Sequence, residues 1–163
     1  MSRAKRKFVL IFVEKKTSIM SLEIKTEINI KATSEKIWEI LTNFNEYPNW
    51  NPFIKYIKGN VAIGQKINVL IAPPAAKEMM FKPKVLSFVK NKELSWIGHL
   101  LFFGLFDGKH KFELVNNKNG TTTFIQSEVF KGLLVPFFKK QLNNATKNGF
   151  INMNSKLKEL AEK

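Results

Sequence analysis

The sequence contains no cysteine. That excludes thiol nucleophiles, thiolate metal sites and disulfide staples, and it is compatible with a reducing compartment, the cytoplasm being the default expectation. Arginine is almost missing, since Arg3 and Arg6 are the only two. The formal charge of +14 therefore rests on lysines scattered among Asn, Ile and Phe. Guanidinium is the better phosphate fork, so specific nucleic-acid recognition is not expected. Scattered lysines neutralise phosphates without reading bases, and any such affinity should be non-specific and salt-sensitive.

Histidine is scarce too, with only His99 and His110. Without cysteine, two histidines do not make a dedicated transition-metal site. No Gly-x-Ser-x-Gly elbow, phosphate-cradling glycine loop, His-Glu-x-x-His pair or dinucleotide fingerprint occurs, so no metal or cofactor is expected. No apolar run approaches the roughly 20 residues that span a bilayer. The basic Met1 to Lys7 followed by apolar Phe8 to Val13 imitates a signal peptide. The apolar run, however, stops at Glu14-Lys15-Lys16, and no small-residue cleavage site follows.

What remains is a chain of 163 residues, 44% hydrophobic and 25% charged, which suits one globular domain with a core of its own. From Leu22 the pattern alternates. Leu22, Ile24, Thr26, Ile28 and Ile30 share one face, and Glu23, Lys25, Glu27, Asn29 and Lys31 the other, as in a half-buried strand. Thr33 or Ser34 then caps a helix with the apolar stripe Ile37, Trp38, Ile40, Leu41 and Phe44. Tyr47-Pro-Asn-Trp-Asn-Pro-Phe53 carries two prolines and reads as a tight connector pinned by aromatics.

Strands are expected over residues 54–58, 66–72, 79–89 and 93–100, followed by a hairpin of 107–115 and 121–131. If Val115 pairs with Thr121, His110, Phe112, Leu114, Phe124, Gln126, Glu128 and Phe130 share the inner face. A long helix follows, with Pro136 in its first turn and the stripe Phe138, Leu142, Ala145, Gly149, Met153, Leu157 and Leu160. Strand, helix, meander and final helix make an α+β pattern in which that helix covers the sheet.

These features together resemble the polyketide cyclase/dehydrase and lipid-transport superfamily, also called START-like or SRPBCC. The resemblance is carried by Ala32-Thr-Ser-Glu-Lys-Ile-Trp38, Tyr47-Pro-Asn-Trp-Asn-Pro52, Gly64, Leu94-Ser-Trp96, and Asp107-Gly-Lys-His-Lys-Phe112 with Ser127-Glu-Val-Phe-Lys-Gly-Leu-Leu-Val-Pro136. It covers the chain from about Leu22 onward. It implies a helix-grip fold: a curved antiparallel sheet wrapped around a long C-terminal helix, with two short helices after the first strand. It also implies a cavity between sheet and helix, but no single reaction. Residues 20–163 would form this domain and residues 1–19 an extension outside it.

Within such a cavity His110 and Glu128 are the candidates for acid–base work, or else a buried pair that satisfies itself. Trp50, Phe53, Trp96, Phe112, Phe124, Phe130, Phe138 and Leu142 are candidate lining or core residues, and Gln126 a candidate ligand hydrogen-bonder. Glycine at position 149 costs about 1 kcal/mol against alanine within a helix. Either close packing or room for a ligand compensates it. Leu100 to Phe106 is an apolar run that packs over the helix, gates the cavity or touches a membrane. The expected function is binding of an apolar small molecule. A cyclase or dehydratase using His110 and Glu128, and a basic module on anionic membrane or nucleic acid, are the alternatives. Oligomeric state is not legible.

Overall fold

The computed structural model describes residues 21–100 and 102–163; the expectation for residues 1–19 lies outside them. Strand β1 (Ser21–Ile30) buries Ile24 and Ile30 and exposes Glu23, Lys25, Glu27 and Asn29, as its alternation requires. Helix α1 (Ser34–Thr42) starts at Thr33, whose side chain accepts the Lys36 N–H, and it buries Ile37, Trp38 and Leu41. Residues 47–53 are not simply a connector. A 3₁₀ turn (Phe44–Glu46) runs into a one-turn helix α2 (Tyr47–Trp50), because Pro48 falls in the first turn, where its missing N–H costs nothing. The buried Tyr47 hydroxyl donates to Leu41 O at 2.7 Å, and burial pushes its phenol well above the ordinary pKa. Asn51 Oδ1 then accepts the N–H groups of Phe53 and Ile54, turning the chain into the next strand.

Strands β2 (Ile54–Lys58), β3 (Asn68–Ile71) and β4 (Met79–Phe81) form one small antiparallel sheet. Strands β5 (Lys84–Val89), β6 (Glu93–His99), β7 (Asp107–Asn116) and β8 (Thr122–Lys131) join β1 in a second sheet of order β1-β8-β7-β6-β5. The single strand expected over 79–89 is thus two strands in different sheets. Pro83 lies at the break, where a residue without an N–H cannot continue a ladder. The sheets are bonded to each other there, Ile67 N–H to Pro83 O and Val85 N–H to Gln65 O, so the strands wrap as one curved wall.

The hairpin register also differs from expectation. Val115 lies opposite Thr123 rather than Thr121, a slip of two residues. Two is the side-chain period of a strand, so every residue keeps its face while every partner changes. His110 comes to lie opposite Glu128 instead of Gln126. On β6 the outward positions beside Trp96 are themselves covered, Ser95 buried and Ile97 half-buried.

Helix α3 (Val135–Ala161) crosses the inner face. Its buried stripe is broader than the expected one: Thr146, Phe150, Asn154 and Ala161 are buried alongside Gly149, Met153 and Leu157, while Leu160 is only half-buried. Asn154 Nδ2 donates to Thr26 Oγ1 on β1, and Lys158 Nζ to Asn29 O, fixing the helix to the sheet edge. The whole is the helix-grip fold.

Gly149 settles its own question. A Cβ there would run into the Phe53 ring, and Phe53 is itself wedged edge-on against Phe150 with centroids 5.4 Å apart. The missing side chain serves close packing and does not leave space for a ligand. Gly149→Ala should therefore destabilise the protein despite alanine's better helix propensity, since overpacking a core costs about 1–3 kcal/mol and the propensity gain is about 1 kcal/mol. Chemical denaturation checks this, with a lower midpoint at unchanged slope as the expected result.

Candidate ligand-binding site

Helix α3 is buried at Val135 and again from Thr146 onward; between them Phe138 and residues 139–141 are exposed, and Leu142 and Ala145 half-buried. In the wedge where it stands off the sheet lies a cavity of about 220 Å³. Its walls come from α3 (Phe138, Leu142, Ala145, Thr146), from β2 to β4 (Ile54, Val69, Ile71, Met79, Phe81) and from the large sheet (Trp96, Gly98, Gly108, His110, Glu128, Phe130).

Of the residues expected to act on a ligand, Phe53, Trp96, His110, Glu128, Phe130, Phe138 and Leu142 line this space. Phe112 and Phe124 are fully buried on the same sheet face but away from the lining, tilted against each other at 5.7 Å. Trp50 packs edge-on against Tyr47 at 5.2 Å, also outside it. Gln126 stands behind His110 and Gly149 beneath Phe53.

The polar group of the cavity is built by strand pairing. His110 Nδ1 lies 3.1 Å from Glu128 Oε2, directly across from β7 to β8. The imidazole side chain is 3% exposed and the carboxylate 18%, so Glu128 is the partner that reaches open space. Trp96 stacks flat on the imidazole at 4.7 Å and 12°, while Phe112 and Phe150 meet it edge-on. The Gln126 amide nitrogen approaches Nε2 at 3.4 Å. One tautomer satisfies all of this: Nδ1–H donates to the carboxylate and Nε2 accepts from Gln126, an assignment made from the hydrogen-bond network. Gln126 Oε1 is buried without a partner.

Two features here were not legible as functional. Gly98 and Gly108 face each other across β6 and β7, leaving bare backbone in the cavity wall. A Cβ on Gly108 would sit 2.7 Å from Glu128 Oε1, so this glycine is what lets the carboxylate lie over β7. The other is Asp107, the only aspartate of the chain. Its buried carboxylate accepts the Gly104 N–H at 3.0 and 3.1 Å and contacts His99 Nδ1 at 2.6 Å, holding the β6–β7 loop. The strand-end alternation marks it only as one more polar residue. Among the described residues no group of three or more His, Asp or Glu is placed to hold a metal, and no helix is long and apolar enough to cross a membrane.

The arrangement can take an apolar body against aromatic walls and offer one hydrogen-bonding, proton-carrying pair to its polar end. The sequence model of the polyketide cyclase/dehydrase and lipid transport family matches residues 21–162, and the chain belongs to that family. No curated protein matches it in sequence. Among solved structures it is similar to a protein of unknown function from Staphylococcus aureus (TM-score 0.67, 16% identity, covering 89% of this chain and 96% of that one). It is also similar to a START superfamily protein from Mycobacterium smegmatis (0.66, 17%, 86% and 97%). A third is a norcoclaurine synthase point mutant from Thalictrum flavum in complex with a transition-state analogue (0.68, 13%, 90% and 97%). At these identities the likeness is one of fold.

Gly108→Ala should push the Glu128 carboxylate off His110 without unpairing the strands. In nuclear magnetic resonance spectra we expect the His110 ring signals to move in Gly108→Ala and in Glu128→Gln, and in Glu128→Gln to move more than those of His99. His110 signals that ignore both changes would contradict the 3.1 Å contact.

Proposed function

We propose that the protein binds a small apolar molecule carrying one polar group, with the apolar body in the wedge between α3 and the sheet and the polar group at Glu128 and His110. The observation that carries this reading is the mainly apolar cavity with the His110–Glu128 pair in direct contact in its wall. Concave apolar sites with a few convergent polar groups are the usual form of small-molecule sites. The volume of about 220 Å³ falls below the range of about 300–1,000 Å³ common for drug-sized ligands. It therefore favours a compact ring system, or one end of a longer chain whose remainder leaves through the mouth. Phe53, Trp96, Phe130, Phe138 and Leu142 are the proposed apolar contacts.

A second reading is supported by the direct contact of His110 with Glu128 beside the cavity. Such a pair can take a proton from one atom of a bound substrate and return it to another, which is what a cyclase or dehydratase requires. Loss of water from a β-hydroxyketone, followed by enone absorbance and abolished in Glu128→Gln, would favour that reading over simple binding.

A naphthol and decanol are suitable probes of binding. Each should perturb Trp96 fluorescence and bind with a Kd on the order of 10–100 µM, as expected of ligands this small. Binding should weaken about three- to tenfold in folded Glu128→Gln or His110→Ala protein, the worth of one hydrogen bond. It should be lost in Leu142→Trp, which fills the wedge. Absence of binding by the parent, or equal binding by Leu142→Trp, overturns the proposal.

A further inference from the structure

Two stretches distant in sequence lie side by side at the mouth of the cavity. After β6 the chain presents Leu100, Phe102 and Phe103; after β8 it presents Leu133, Phe137 and Phe138. They are held together by backbone bonds from Leu133 N–H to Gly104 O and from Leu134 N–H to Leu105 O. Gly132 permits this contact: its φ is +133°, and a Cβ there would lie 2.5 Å from Leu105 O. The exposures are large, 63% for Phe102, 78% for Phe103, 71% for Leu133 and 81% for Phe137. Single exposed apolar residues are ordinary, but a contiguous group marks an interaction surface. Nor do these residues hang from a loose loop, because Asp107 clamps the Gly104 N–H and His99, and Phe103 rests edge-on against the His99 ring at 5.4 Å.

The exposed charge along the Leu133 to Phe138 side of this surface is lysine. Between Glu128 and Glu159 the chain has six lysines and no acidic residue. Lys131, Lys139 and Lys140, which flank the exposed Leu133, Phe137 and Phe138, are themselves exposed. Leu100 and Phe138 belong both to this surface and to the cavity lining, and Phe106 joins the two by packing on Phe130 and Phe138.

We propose that this surface docks the protein on an anionic lipid bilayer. Phe102, Phe103, Leu133 and Phe137 enter the headgroup region, Lys131, Lys139 and Lys140 meet lipid phosphates and carboxylates, and the cavity mouth faces the membrane. Apolar side chains next to lysines are the composition that holds a protein in the interface plane of an anionic membrane. A second copy of the chain fits less well, because face-to-face pairing would bring two like-charged lysine clusters together. Nucleic acid offers no apolar phase for the phenylalanines. The docking stands on the surface alone; that the docked mouth receives its ligand from the bilayer rests on the cavity reading above.

The test is sedimentation of the full chain with vesicles of phosphatidylcholine alone or mixed with phosphatidylserine, at low and high salt. We expect binding to the mixed vesicles, at least about tenfold weaker binding to the neutral ones, and release by salt, since surface attraction falls off within a Debye length. The double variants Phe103→Asp/Phe137→Asp and Lys139→Glu/Lys140→Glu should each weaken binding about tenfold or more. Phe103 and Phe137 do not line the cavity, so naphthol binding in solution and the thermal midpoint should stay as in the parent. Failure of the parent to bind anionic vesicles, or equal binding by both double variants, overturns the docking. So does a concentration-dependent dimer that Phe103→Asp/Phe137→Asp dissociates, which would assign the surface to a second copy. Vesicle binding without naphthol binding would overturn the cavity reading and leave docking intact; the reverse result would overturn docking alone.

Discussion

The close approach of α3 to the sheet at Gly149 is the contact on which the rest of the molecule depends. Phe53 fills the space that a side chain on Gly149 would take, and Phe150 closes against the same ring. From there to the C-terminus the helix is pinned by apolar packing and by Asn154 and Lys158 reaching β1. At its start Val135 is buried again and Leu134 N–H is bonded to Leu105 O, but from Pro136 to Ala145 no residue is buried, and the helix spans that stretch without close packing. The wedge that results is the cavity. Its existence thus follows from where the packing stops, without any segment dedicated to making it.

The polar pair inside an aromatic wall obeys the same economy of packing. A lone imidazole or carboxylate there would carry an unmet desolvation cost. Register places His110 opposite Glu128, Trp96 covers the flat face of the ring, and Gln126 meets its far nitrogen. Glu128 remains the more open partner because Gly108 gives it room. A group satisfied on one side and facing space on the other can exchange its partner for a ligand atom at little cost.

Much of this was legible from the chain. The strict alternation of residues 22–31 identifies β1 and its buried face, and the parity of the β7–β8 hairpin identifies which residues look inward. Parity is indifferent to a slip of two, however, so the pairing of His110 with Glu128 rather than Gln126 needed the tertiary structure. The split at Pro83 and the helical turn at Tyr47 are cases in which a proline's local effect depends on its exact position in an element. The stripe on α3 was identifiable by its spacing, but spacing cannot tell which half of an amphipathic helix is covered. Contacts such as Phe53 with Gly149 or Leu105 with Gly132 join residues far apart in sequence, and no local pattern encodes them. The places of Gly98, Gly108 and Asp107 in the site rest on contacts of the same kind.

The central claim is that the wedge between α3 and the sheet receives an apolar ligand whose polar group meets the His110–Glu128 pair. A crystal structure of the protein with a naphthol tests it most directly. The account predicts density for the ring between Trp96, Phe130 and Leu142, with its hydroxyl within hydrogen-bond distance of Glu128 or His110. Density only on the outer sheet face, with the wedge closed by a collapsed α3, would contradict it.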